Sequence, residues 1–237
     1  MIKMTFNRNP IVTAGTIEQP SMDEVRNTPQ LFNASLDDAL KYGGDLTREA
    51  IGAMNLRLDK RHVIVDTKVH MLMPGFYPAI PGWHTDAAPR GPESNPLNSQ
   101  GPNPPNLFLQ EENSSPRFHL LVTGEGARTD FIAERDIDLL IPDEPDTSLY
   151  KRMTDYIKNC SYSFAPAEYP KFTYITIPTC TVWEWNWWEV HTAVPATKNE
   201  WRFLIRVTET DYSEPESNLR NIIRTQSNVY VPESFGW

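Results

Sequence analysis

From Arg61 to Thr208 the chain keeps returning to short runs in which β-branched or aromatic residues alternate with polar ones. That is the period of a strand with one buried face. The longest run, His62-Val63-Ile64-Val65-Asp66-Thr67-Lys68-Val69-His70-Met71-Leu72-Met73, predicts one long strand. Others are expected at Ile11–Ile17, Asn106–Leu109, Phe118–Thr123, Thr129–Ile132, Phe172–Ile177, Thr179–Val190 and Trp201–Thr208. Helical spacing belongs mostly to the N-terminal side. Ser35 with Asp38 forms a weak capping box ahead of Leu36, Ala39 and Leu40, and Ile51, Met54 and Leu58 share a helical face. Only Leu149, Met153, Tyr156 and Ile157 interrupt the later strands with a helical pattern. Helices first and many short strands afterwards predict a mainly β fold, a sandwich or jelly roll with the N-terminal helices packed on one outer sheet.

A chain of 237 residues fits one domain of this kind. The expected division is a supporting segment over 1–60, a β core over 61–210 and a C-terminal extension over 211–237. Charged residues make up 22% and apolar residues 39%, enough of the latter to build an interior. The 21 prolines concentrate between Pro74 and Pro116, and the loop from Pro78 to Pro116, with Arg90 inside it and Arg117 just beyond, reads as a substrate-selecting loop or as a solvent-exposed insertion. A net charge of −9 disfavours a surface built to neutralise phosphates, so a small molecule or a peptide is the expected partner ahead of nucleic acid. The opening Met1-Ile2-Lys3-Met4-Thr5-Phe6-Asn7-Arg8 lacks a secretory apolar run, and no apolar stretch is long enough to span a bilayer, so a cytoplasmic protein without membrane contact is expected. Cys160 and Cys180 lack metal-site spacing and read as buried free thiols.

Chemistry concentrates at Gly82-Trp83-His84-Thr85-Asp86. On an extended segment His84 and Asp86 point to the same side and can bind one ion together. A non-haem iron(II) site requires a second histidine on the same face, with coordination positions left open. His62, His70, His119 and His191 are the candidates, because the chain has five histidines. His191 is preferred, since a turn and then the apolar run Trp201-Arg202-Phe203-Leu204-Ile205-Arg206-Val207 follow it.

In this order of residues the sequence resembles the Fe(II)/2-oxoglutarate-dependent oxygenase superfamily. Met71-Leu72-Met73-Pro74-Gly75-Phe76-Tyr77 is similar to the strand and Pro-Gly turn before that family's H-x-D motif, and the run after Arg202 is similar to its closing strand. The likeness spans roughly residues 61 to 210 and is closest to the prolyl-hydroxylase-like members. It implies a double-stranded β-helix, iron(II) on His84, Asp86 and His191, and 2-oxoglutarate as cosubstrate, with ascorbate as reductant. It further implies oxidative decarboxylation of 2-oxoglutarate to succinate, coupled to hydroxylation of a second substrate. Because Asp86 is present, hydroxylation is expected rather than the halogenation of relatives that lack the carboxylate. The resemblance assigns the far carboxylate of the cosubstrate to Arg202, whose planar guanidinium makes paired charge-assisted bonds. Arg206, on the same strand face, is the rival.

Plainer readings stand beside these. His70 reads as a hydrogen-bonded structural histidine, His119 as structural with an approach to the site open to it, and His62 as a strand-start residue. Trp183, Trp185 and Trp187 share a strand face, as core or as an aromatic wall, and Glu184 or Asn186 is open as a ligand contact. A non-catalytic β-sandwich binding or assembly module, or a cupin-like metalloenzyme that does not use 2-oxoglutarate, would account for much of the same pattern.

Overall fold

The period-two residues beyond Arg61 fold into the two longest strands, and these lie side by side. A computed structural model describes residues 1–90, 103–161 and 171–231. In chain order its elements begin with β1 (Ile2–Phe6), β2 (Val12–Thr16), α1 (Met22–Asn27), β3 (Gln30–Leu31), β4 (Ala34–Ser35), α2 (Leu36–Tyr42) and α3 (Gly44–Gly52). Then come β5 (His62–Leu72), α4 (Leu107–Glu112), β6 (Arg117–Val122), β7 (Thr129–Ile132), β8 (Ile137–Ile141) and α5 (Leu149–Ser161). The chain continues through β9 (Tyr174–Thr176), β10 (Thr181–Asn186), β11 (His191–Ala193), β12 (Glu200–Thr210), α6 (Leu219–Ile222) and β13 (Ile223–Arg224).

The fold is mainly β, with several antiparallel sheets and a few helices. A six-stranded sheet runs β2-β10-β6-β12-β5-β4, and a three-stranded sheet runs β11-β7-β9. β1 pairs with β8, and β13 with β3. Among the described residues no helix is long and apolar enough to cross a membrane.

The two faces of the large sheet do different work, as alternation requires. On β12, Phe203, Ile205 and Val207 are buried on the outer face against Val25, Ala39, Leu46 and Ala50 of the N-terminal helices. Arg202, Leu204 and Arg206 therefore turn inward, opposite His70, Lys68 and Asp66 of β5. The remaining inner face, with Phe118 and Leu120 of β6 and Trp183 and Trp185 of β10, packs on Phe131 and Ile132 of the small sheet. Of the tryptophans named above, all three are core residues, and Trp187 stacks on Tyr212 at 6.1 Å between ring centroids.

Some expectations are corrected and others hold. Asn106–Leu109 is no strand: the Asn106 side chain accepts from the backbone N–H of Phe108 and Leu109 and starts α4, a local cap that outweighs a short apolar run. The helical face expected to reach Leu58 ends with α3 at Gly52, and Leu58 itself has a left-handed φ of 54°. Within the proline-rich stretch, 91–102 lies outside the described residues. His119 is structural, its Nε2 meeting Glu209 at 2.9 Å, and Glu184 is taken up by Arg57 at 2.6 Å on the far side of the sheet from the inner core. Asn186 caps its own turn by accepting from the Trp188 N–H. Both cysteines are free and buried.

Candidate metal centre

The His-x-Asp segment lies beside β11 as an isolated antiparallel bridge. The His84 N–H donates to the His191 carbonyl and the His191 N–H donates to the His84 carbonyl, each at 3.0 Å. Two residues far apart in the chain are thus held back to back by a reciprocal backbone pair. Alternation then sends Trp83 and Thr85 to one side and His84 and Asp86 to the other. The first side docks on α5: the Trp83 N–H donates to Thr154 Oγ1 at 2.8 Å, and the Tyr150 hydroxyl donates to the Thr85 carbonyl at 3.1 Å. The second side meets His191.

Ligand atoms of His84, Asp86 and His191 all lie within 4.8 Å of one another. His84 Nδ1 is 2.8 Å from the Gly82 carbonyl, and His191 Nδ1 is 3.0 Å from the Glu189 carbonyl. A carbonyl only accepts, so Nδ1 carries the proton in each ring and the metal-binding lone pair falls to Nε2. Gly82, at φ 118°, supplies the backbone turn that brings its carbonyl under the His84 ring. His191 Nε2 and Asp86 Oδ2 are 3.4 Å apart.

The electrostatics suit a cation. Burial alone would raise the Asp86 carboxyl, but the charges of His191 and Arg206 more than offset it and hold the group below the usual carboxylate range. Burial, reinforced by His191, lowers His84 to about 4, so its ring is neutral at neutral pH. One carboxylate and two imidazoles are the donor set of a facial iron(II) site, and neither cysteine belongs to the group.

A cavity of about 240 Å³ opens on these three residues. Lys68, Leu204 and Arg206 line it from the large sheet, Thr129 and Ala193 from the small one. Trp185 also borders it, edge-on to His191 with ring centroids 5.6 Å apart. A second cavity of about 310 Å³ shares Asn33, Asp66 and Arg206 with the first and is bordered further by Thr208, Thr210 and Ser213.

The two arginines separate. Arg206 reaches the metal residues: Nη1 donates to Asp86 Oδ1 at 3.3 Å and Nη2 to Asp66 Oδ2 at 3.4 Å. Arg202 is 1% exposed and sits deeper, its Nε donating to the Ala127 carbonyl at 2.8 Å while Nη1 has no partner among the described residues. Burial draws its guanidinium down to about 9. His70, opposite Arg202 in register, corrects the expectation of a hydrogen-bonded histidine: it is buried, and neither ring nitrogen has a hydrogen-bond partner among the described residues. Desolvation, then Arg202, lowers it to about 3, so it stays neutral.

Sequence reasoning missed Asn7, Tyr150 and Lys68. Asn7 is fully buried at φ 52°, donates from Nδ2 to the carbonyls of Ile132 and Glu134, and accepts the Val190 N–H at 2.9 Å. It fixes the backbone immediately before His191. Nothing in its local sequence signals that role. Tyr150→Phe removes the bond to Thr85 from behind Asp86. Metal affinity is expected to fall by up to about tenfold with the fold intact, the lower end of what outer-shell partners of a metal site contribute. Titration with Mn(II) monitored by electron paramagnetic resonance reads this out.

The chain matches no protein-family model, no curated protein and no solved structure.

Proposed function

We propose that this chain is an Fe(II)- and 2-oxoglutarate-dependent dioxygenase, a cytoplasmic enzyme that hydroxylates a small molecule or a peptide. The observation that carries the reading is the convergence of His84, Asp86 and His191 on one point, bordered by a cation-lined cavity. Strand order supports the double-stranded β-helix that the reading requires. β5, β6, β10 and β12 belong to the large sheet, while the His84 segment, β7, β9 and β11 lie together in the other. Successive core strands therefore alternate between sheets, except for the step from β7 to β9, as in a jelly roll.

In this reading His84 and His191 supply nitrogen donors and Asp86 the anionic one, and their shared face leaves room for a cosubstrate and dioxygen. When bound, iron(II) supplies the oxygen activation that is coupled to decarboxylation of 2-oxoglutarate. The cationic inner face of β12 and β5 receives the end of the cosubstrate remote from the metal, with the unpartnered Nη1 of Arg202 at its deep limit. Arg206 braces Asp86 from the side of the second cavity. That cavity, polar at Thr208, Thr210 and Ser213, is where the prime substrate reaches the metal, and its size fits a small molecule or one side chain of a peptide. Trp185 packs against the His191 ring and excludes water from that flank.

Protein incubated with iron(II), ascorbate and 2-oxoglutarate is expected to release succinate, even without a prime substrate, through slow uncoupled turnover. His84→Ala is expected to abolish the release. Succinate formed at equal rate by the variant, or none from metal-loaded wild type, counts against the proposal.

A further inference from the structure

Three inward-facing pairs stand in register along β5 and β12: Asp66 with Arg206, Lys68 with Leu204, and His70 with Arg202. Same-face residues are two apart, so neighbouring pairs are separated by about 6.6 Å along the strands. The first pair is at the metal end, because Arg206 bonds Asp86 there. A five-carbon diacid spans roughly 5 Å between its terminal carboxyl carbons, from four bonds of about 1.52 Å in a zigzag. A dicarboxylate with one end beside the first pair is therefore about one step long, which brings its far end level with Lys68.

Of the two cations that line this cavity among the described residues, Arg206 is engaged and Lys68 is not. It lines the cavity beside the three metal-site residues, whereas Arg202 and His70 do not. Its ammonium has neither a hydrogen-bond nor an ion-pair partner among the described residues. Asp66 and Asp86, the acids of this cavity, are both engaged by Arg206. Arg202 and Arg206 stand one step to either side of Lys68 on the facing strand, and burial together with Arg206 lowers its pKa. A half-buried ammonium between two guanidinium groups is costly unless an anion neutralises it. Across the cavity, Thr129 offers a hydroxyl from the small sheet.

We infer that Lys68 is the residue that directly binds the far carboxylate of the cosubstrate, and that Arg202 is a positioning residue behind it. The inference rests on the oxygenase reading above and reassigns one contact within it. Arg202 is pinned by its bond to the Ala127 carbonyl and acts as a fixed positive charge at the closed end, keeping Lys68 forward in the cavity.

The test pairs two ligands with variants, so that it measures one interaction and not a general loss of binding. Protein loaded with Mn(II) is titrated anaerobically by calorimetry with 2-oxoglutarate and with 2-oxovalerate, which has the same chain length and lacks the far carboxylate. Wild type is expected to prefer 2-oxoglutarate by on the order of 10- to 100-fold, the range of a charged hydrogen bond. Lys68→Met is expected to reduce that preference to less than about threefold while binding 2-oxovalerate as wild type does. Lys68→Arg restores most of the preference. Should Lys68→Met fail to fold, Lys68→Gln carries the same comparison. If the preference survives in these uncharged variants and vanishes in Arg202→Met, the Lys68 assignment is overturned and the oxygenase reading stands. If wild type binds neither oxo acid, both fall together.

Discussion

Asp86→Ala is expected to weaken metal binding by on the order of a hundredfold or more and to reduce succinate formation to background. Loss of even an outer partner of a metal ligand costs about 10- to 100-fold, and here the one anionic donor of the site is removed. The apoprotein should tolerate the change. The substitution relieves a buried carboxylate, and Arg206 keeps its second acid, Asp66, at 3.4 Å. The backbone bridge between His84 and His191 does not involve the Asp86 side chain. A melting temperature close to wild type, with metal affinity lost, is therefore the expected pair of results. Metal bound undiminished by Asp86→Ala would mean that the ion sits elsewhere.

The largest effect on stability is expected on the opposite face of the same sheet. Glu209 is fully buried on the outer side of β12. Its carboxylate accepts from the backbone N–H of Arg57 at 3.0 Å and of Leu58 at 2.7 Å, and from Arg117 Nη1 at 2.7 Å, and it meets His119 Nε2 at 2.9 Å. Burial would raise its pKa, but the bonds from His119 and Arg117 prevail and lower it. Glu209→Ala leaves the wholly buried His119 and the backbone N–H groups of Arg57 and Leu58 without their acceptor, while Arg117 falls back on Asp59 and Glu184. A loss of about 3–5 kcal/mol follows, typical of breaking a buried charge pair by deleting one partner. Chemical denaturation measures it directly. Because the depressed carboxyl stabilises only while ionised, its contribution is present above the unfolded-state pKa and is lost as pH falls through the lower folded value. Wild type should therefore lose more stability on acidification than Glu209→Ala.

Much of this architecture is legible in the alternation. β5 and β12 follow their period-two patterns almost residue for residue because each buries both faces in a repeating way, apolar toward the helices and mixed toward the cavity. The triad is legible for a related reason: His84 and Asp86 share a face only on extended chain, and His191 precedes a turn and a strand of the right character. β1 and β8 escaped notice because each is completed by a partner more than a hundred residues away, which no local window contains. The face shared by Asp66, Lys68 and His70 was present in the sequence. A lysine within a strand reads first as solvent-facing, however, and only the register with Arg202 and Arg206 shows that this one has two cationic neighbours. Asn7 carries no such signal at all, since its role depends on a left-handed backbone and on bonds to residues around 132 and 190.

The central claim, that three residues hold a metal which in turn receives 2-oxoglutarate, is tested most directly by anaerobic calorimetry of 2-oxoglutarate with and without Mn(II). The account predicts saturable one-to-one binding that requires the metal and disappears in Asp86→Ala. Binding of equal strength to the metal-free protein, or none to the metal-loaded one, would contradict it.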